Sequence, residues 1–492
     1  MSFILVILTL LPLTLACKKK EEGGDEEETA VTTAPEVETY RDDLPELDFK
    51  GEAITFVSRD SDVKRNEVTV AADDTSDIVN EAVYDREKTV EKRLNVDIIN
   101  VLLPETEVED HYIVMNAVQN DILTNSGEYD IGVSNASQFY EKVGENLSYN
   151  LYEVPYLNTG KDYYSQLQIE KSVVDGALYA VTGDASMTLI KKSLVTYFNK
   201  KLVEQLKVPD LYETVKKGDW TFAYQKELAM LLYESADDVA DETDVYGFVT
   251  DAREGVDAYL SGWEIRLVER DVDGRFVVNV DVAKMSSALK IINEAFYQTK
   301  GIFATNFRKH KDWHPYEKKE EMFGNDQAMF ATLELGACER TYLRNMESEY
   351  GIIPIPKYDD KQEGYYTQVE DLYSVYFILS SVSAERLDAV GATLECFFSE
   401  SDQVRYNLFE VALKVKYQSD SLTGQMLDII IDNVKIDSGW VYTGHTKGLA
   451  QMFRDLVEKE SSDLTSEYNR KKMTATLGFN KMYEKLDALA AA

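Results

Sequence analysis

Several things are scarce in this sequence. It has three cysteines, four histidines, four tryptophans and nine prolines among 492 residues. So few cysteines exclude a disulfide framework. After Cys17 only Cys338 and Cys396 remain. They are expected to be buried and unpaired, although spacing alone leaves a bridge between them open. Positive charge is also short, with 52 Lys and Arg against 89 Asp and Glu and a formal net charge of −37. A nucleic-acid binder needs a basic surface, so that class is excluded. An anionic small ligand is disfavoured only weakly, because a pocket can be locally basic. Beyond the first residues no apolar run is long enough to cross a bilayer.

Catalytic signatures are missing as well. No Gly-x-Ser-x-Gly elbow, Walker loop or His-Glu-x-x-His motif occurs, and neither body cysteine carries a catalytic-thiol signature. In "HKDWH", His310 and His314 stand one helical turn apart. Pro315 follows at once and no third ligand is in view, so no metal or other cofactor is expected. Carboxylates are so numerous that a glycosidase pair could not be picked out by sequence. No repeat of 20–50 residues points to a solenoid.

What is present begins with "FILVILTLLPLTLA", the uncharged run Phe3–Ala16. As a helix it would span about 20 Å, short of the ~30 Å hydrocarbon core. That length suits the apolar part of a signal peptide. Ala16–Cys17, with Leu13 and Leu15 upstream, resembles the lipobox of bacterial lipoproteins. The resemblance implies cleavage before Cys17 and lipidation of its sulfur, which would place the protein on the outer face of the cell membrane. Residues 18–48 are rich in Glu, Asp, Thr and Gly, with Pro35 and Pro45. Such a stretch buries too little to offset chain entropy and is expected to act as a flexible acidic tether.

The body, from about residue 49, is too long for one core and is expected to form two lobes. Its composition, 44% hydrophobic and 11% aromatic, is that of a globular protein. "EAITFVSR" reads as a strand. Ile78, Ala82, Val83, Val90 and Leu94 follow at helical spacing behind the N-cap candidate Asp77. "VDIINVLL" and "YDIGVSNA" read as two more strands, separated by a helix from His111 to Leu123. Strand and helix alternate as in a parallel α/β sheet with crossover helices. The tail from Gly444 to Leu489 is expected to be helical.

Four later segments together resemble the extracellular solute-binding proteins of bacterial ABC transporters, in the sugar-binding group that includes maltose-binding protein. They are "ALYAVTGDAS", "TYFNKKLVEQLKVPDLYETVKKGDWTFAYQKELA", "MFGNDQAMFATLELGA" and "YGIIPIPKYDDKQEGYY". The resemblance implies a two-lobe α/β periplasmic-binding-protein (Venus flytrap) fold with three interlobe crossings, near 185–194, 331–335 and 380–385. Lobe one would hold 49–188 and 333–383, and lobe two 189–332 and 384–492. It further implies a monomeric, non-enzymatic receptor that closes on a sugar or oligosaccharide and hands it to permease subunits.

A sugar pocket needs aromatic faces and hydroxyl-binding amides or carboxylates. Asn135 and Gln138 follow the third strand, Arg59 and Asp60 end the first, and Asp184 lies at the first crossing. Glu370 and Asp371 precede a strand expected at the cleft. Trp263 and Trp440 sit on segments that the resemblance places beside it. Each has a plainer reading: loop polarity for the amides, surface charge or capping for the ionised groups, core packing for the indoles. Two other functions stay open at this point, an exported carbohydrate-processing enzyme and a sensing subunit of a membrane signalling system.

Overall fold

The computed structural model describes residues 40–60, 66–104, 112–237, 239–312, 314–416 and 421–491. The apolar leader, Cys17 and most of the acidic stretch lie outside them. In the body, strand β1 (Glu52–Asp60) runs parallel to β2 (Val96–Pro104) and to β3 (Ile131–Asn135). The connection from β1 to β2 carries the helix Ile78–Leu94, capped by Asp77, whose Oδ1 accepts from Val79 N at 2.9 Å. Asn95 stops that helix in the left-handed conformation, where Asn is tolerated. The helix Ile113–Thr124 links β2 to β3.

A second sheet follows. It contains β4 (Leu194–Asn199), β5 (Tyr233–Glu234), β6 (Val245–Asp251), β9 (Ile302–Thr305), β10 (Ala328–Glu334) and β11 (Tyr350–Ile353). Between β6 and β9, β7 (Val268–Arg270) and β8 (Phe276–Val278) form a small hairpin ribbon. β12 (Thr367–Gln368) pairs with β14 (Val434–Lys435), and β13 (Ser374–Ile378) returns to the first sheet. The first sheet has the order β13-β3-β1-β2 and the second the path β11-β4-β10-β6-β5, with β9 on β6. β13 is antiparallel to β3, and its Phe377 lies opposite Gly132. A Cβ at Gly132 would come within 2.2 Å of that ring, so glycine lets the two strands pack.

Strand pairing moves two of the expected crossings. β11 lies within the 333–383 stretch assigned to lobe one, yet it pairs with β4 on the second sheet. The middle passage between sheets therefore falls after Ile353, rather than at 331–335. Past β13, the helix Leu387–Ser399 stays with the first sheet, against the expectation for residues 384 onward. Apolar packing holds it there: Phe397 meets Phe56 at 5.1 Å between ring centroids, and Phe398 meets Tyr164 at 4.7 Å. The chain next reaches the second sheet with the helix Ser421–Asp432, which packs on β11.

The last residues of the expected tether are also seated on the body. Asp42 is buried, and both its oxygens face the Arg93 guanidinium. Arg41 Nη1 donates to Asp184 Oδ2 at 2.8 Å, and Lys161 Nζ pairs with Asp43 at 2.7 Å. Cys338 and Cys396 are both buried and free. Among the described residues no helix is long and apolar enough to cross a membrane.

Candidate functional site

In open α/β sheets the carboxyl ends of parallel strands form the edge where ligands bind. On the first sheet that edge carries Arg59 and Asp60 at the end of β1 and Asn135 at the end of β3, with Ser374 opposite Asn135 at the start of β13. On the second it carries Asp251 at the end of β6, Thr305 at the end of β9 and Glu334 at the end of β10. β4 runs antiparallel to β10, so Lys192, just before it, reaches the same edge as Glu334.

The second edge is a network of charge. Lys192 Nζ pairs with Glu334 and lies 3.1 Å from Glu370 Oε2. Lys319, on the helix Pro315–Gly324, pairs with Asp251 at 2.5 Å and stands 3.6 Å from Glu254. Arg340 Nη1 pairs with Glu334 at 2.7 Å, and its other donors reach Glu320. Arg454, on the helix Met452–Glu458, pairs with Asp257 Oδ2 at 2.5 Å and lies 5.7 Å from the Trp440 ring centroid. Carboxylate oxygens of Glu254, Glu334 and Glu370 all fall within 4.8 Å of one another.

Burial sets the protonation behaviour of this network. It pushes the Asp257 carboxyl up to about 7 in spite of Arg454. Burial and the neighbouring Glu254 hold Glu370 well above the carboxylate range. Burial acts on Glu334 in the same sense, but Lys192 and Arg340 outweigh it and keep Glu334 well below that range. Asp371 is raised by burial against the pull of Arg454. Neighbouring acids thus have separated proton affinities, as expected where like charges crowd in a low-dielectric space.

The first edge is quieter. Asn135 and Gln138 are buried at the start of the helix Ala136–Glu141. Backbone bonds tie this turn to the segment before β13: Ala136 N donates to Tyr373 O, and Ser137 N donates to Asp371 O. Asn135 Oδ1, Gln138 Oε1, Tyr373 Oη, Trp440 Nε1, Asp257 Oδ1 and Arg454 Nε are all buried without a hydrogen-bond partner. Buried polar atoms are normally paired, so these six are candidates for hydrogen bonds to a ligand.

The structure brings together Asn135, Gln138, Glu370 and Asp371, and joins Trp440 to them through Arg454. Arg59 is buried at the end of β1, where burial lowers its affinity for the proton to about 10, and Asp60 follows it at the same edge. Two expected residues stand elsewhere. Trp263 is 0% exposed; its Nε1 donates to Pro356 O, and its ring is covered by Phe222, Tyr259 and Tyr358. It is core packing, because no face is left to stack on a sugar. Asp184 is held by Arg41 and Arg405, a clasp for the chain entering the body. His310 Nδ1 accepts from Asn306 N at 3.0 Å, a turn contact.

Lys192, Asp251, Glu254, Asp257, Lys319, Glu334 and Arg454 were not among the residues expected from sequence. A signal existed for two of them. Asp251 and Glu334 each end an apolar strand, "VYGFVTD" and "AMFATLE", the same strand-end position that singled out Arg59, Asp60 and Asn135. The others sit on helices and connectors among many similar charges.

No family model matches the sequence, and no curated protein matches it. Solved structures do match its fold. The GacH receptor of Streptomyces glaucescens, described unliganded and with acarbose, is 14% identical with a TM-score of 0.56, over 88% of this chain and 98% of that one. The maltose/maltodextrin-binding domain MalE of Bdellovibrio bacteriovorus, bound to maltotriose, is 14% identical with a TM-score of 0.56, over 87% and 100%. A ribitol-bound ABC transporter solute-binding protein of Agrobacterium radiobacter K84 is 11% identical with a TM-score of 0.51, over 87% and 98%. The chain has the two-lobe periplasmic-binding-protein fold of these proteins.

Proposed function

We propose that this protein is the solute-binding receptor of an ABC importer, tethered outside the cell through lipid on Cys17, and that it captures a small polyhydroxylated solute, a sugar or oligosaccharide, between its two sheets. One observation carries the reading: buried, unpartnered polar atoms lie at the end of β3 and the helix after it (Asn135, Gln138) and on the helices that carry Asp257, Trp440 and Arg454. Amide and carboxylate oxygens accept from sugar hydroxyls, and an indole covers the C–H face of a ring. The fold of the sugar- and polyol-bound proteins supports the same class of ligand.

In this reading ligand bridges the two edges, so closure of the lobes buries it and creates a state the permease recognises. Asp371 and Arg454 act together, since the Arg454 guanidinium stands between the carboxylates and the Trp440 ring. Capture rather than turnover is the assigned activity because the proteins that share the fold are binding proteins. A thermal-shift screen against monosaccharides, oligosaccharides and polyols tests this. Ligand at a hundredfold excess over Kd should stabilise by about 2.7 kcal/mol, and Arg454→Ala should abolish the shift. A ligand whose shift survives Arg454→Ala would move the site elsewhere, and release of product from an oligosaccharide would replace the receptor with an enzyme.

A further inference from the structure

Charge at the second edge does not balance. Seven carboxylates (Asp251, Glu254, Asp257, Glu320, Glu334, Glu370 and Asp371) share four cations, Lys192, Lys319, Arg340 and Arg454. Every cation already serves two acids, and the pair Glu334–Glu370 has only Lys192 between its members. Burying uncompensated carboxylates is costly, so such a network either retains protons or takes up positive charge. An acidic cluster alone would not specify a ligand. Here, however, Asp257 is 5% exposed, one oxygen is held by Arg454 and the other has no partner. On the turn whose Ser137 N donates to Asp371 O, Asn135 and Gln138 add two more buried acceptor oxygens without donors.

Aromatic faces accompany the acids. The Tyr316 ring lies 5.4 Å from Lys319 Nζ, and its hydroxyl is pushed far up by burial and then by Glu254 and Asp251. Trp440 already carries the Arg454 guanidinium. Surplus carboxylates beside indole and phenol faces form an environment that attracts an ammonium group. At longer range, the −37 charge of the chain draws cations toward the body and repels anions.

We infer that the solute is amine-bearing: a polyhydroxylated ligand of the amino-sugar type, whose ammonium group is received by Asp257, Glu370 and the unpaired oxygens facing them. This rests on the receptor reading and narrows its ligand class. Positive charge from the ligand would settle the excess of the second edge, while Asn135 and Gln138 on the first edge take ligand N–H and O–H donors.

Calorimetric titration of the full chain in detergent tests this with matched pairs: glucosamine against glucose, galactosamine against galactose, mannosamine against mannose, and linked dimers to tetramers of each. At least one amine should bind roughly tenfold tighter or more than its hydroxyl twin. Asp257→Asn and Glu370→Gln should each weaken the amine by at least tenfold more than its hydroxyl twin, so that the preference disappears, with melting temperatures confirming that both variants are folded. If Glu370→Gln does not fold, Asp257→Asn alone decides the matter. Neutral sugars binding as tightly as every amine would overturn the amine assignment and leave the receptor standing. Failure of both sets to bind at millimolar concentration would overturn both.

Discussion

The two edges that face the proposed ligand are built on opposite economies of charge. On the first sheet, the turn after β3 is held by backbone bonds, Ala136 N to Tyr373 O and Ser137 N to Asp371 O, and presents neutral amides. On the second, position depends on ion pairs: Lys319 is 2% exposed and its partner Asp251 0%. A neutral turn fixed by the main chain can lose a side chain cheaply, whereas a network of ion pairs cannot lose one member without stranding another. The difference separates recognition groups that are structurally dispensable from groups that also hold up the fold.

Breaking the charged edge should produce the largest effect. Lys319→Met leaves Asp251 and Glu254 without their cation, and breaking a buried pair in this way costs about 3–5 kcal/mol. Asn135→Ala should cost far less, since its side chain carries no cap bond, and should show up mainly as weaker binding. Denaturant unfolding of the two variants checks the contrast. Equal losses would erase the distinction between the edges.

The tryptophans sharpen it. Trp263→Ala should destabilise by about 3–5 kcal/mol through the cavity it opens, with ligand affinity kept once the protein is folded. Trp440→Ala should lower affinity by roughly tenfold, the scale of one stacked face with its cation, at a smaller cost in melting temperature. Affinity lost at Trp263 and kept at Trp440 would reverse the assignment of the two indoles.

A smaller effect concerns pH, with opposite signs in two places. The Asp257 carboxyl is raised from 3.8 to about 7, so between those values the folded state holds the extra proton. Its contribution to stability is therefore present at low pH and is lost as pH rises through 7. His445, beside Tyr140 O, is lowered from 6.5 to about 4 by burial. The unfolded state holds the extra proton there, so its contribution declines as pH falls from 6.5 toward 4. Comparing stability curves of Asp257→Asn and His445→Gln with the parent should remove slopes of opposite sign. Slopes of the same sign would show that one of the two environments is misread.

Much of the architecture was legible because it rests on local pattern. The helix Ile78–Leu94 and the strands beside it follow from apolar spacing and the cap at Asp77. The crossings were not legible. β11 and the helix Leu387–Ser399 take their places through partners far along the chain, Tyr197 opposite Ile352 and Phe56 against Phe397. No local feature of "YGII" says which sheet it will join. The first edge of the site could be read because β3 ends in "SNASQ", polar residues after an apolar run. The charged edge could not, because an acid paired across the fold looks in sequence like any of the other 88.

The clasp around Arg41, Asp42 and Asp43 bears on reach. With Asp42 locked to Arg93, the folded body begins at Arg41, ahead of the compositional boundary near Asp48. From Cys17 to Arg41 even a fully extended chain could span no more than about 85 Å. Under the proposed lipid anchor the protein would stay within that distance of the membrane. Its effective concentration at the proposed permease would then be set by leash length rather than by diffusion from afar. Lengthening the sequence between Cys17 and Arg41 would dilute it there without touching a single contact in the folded body.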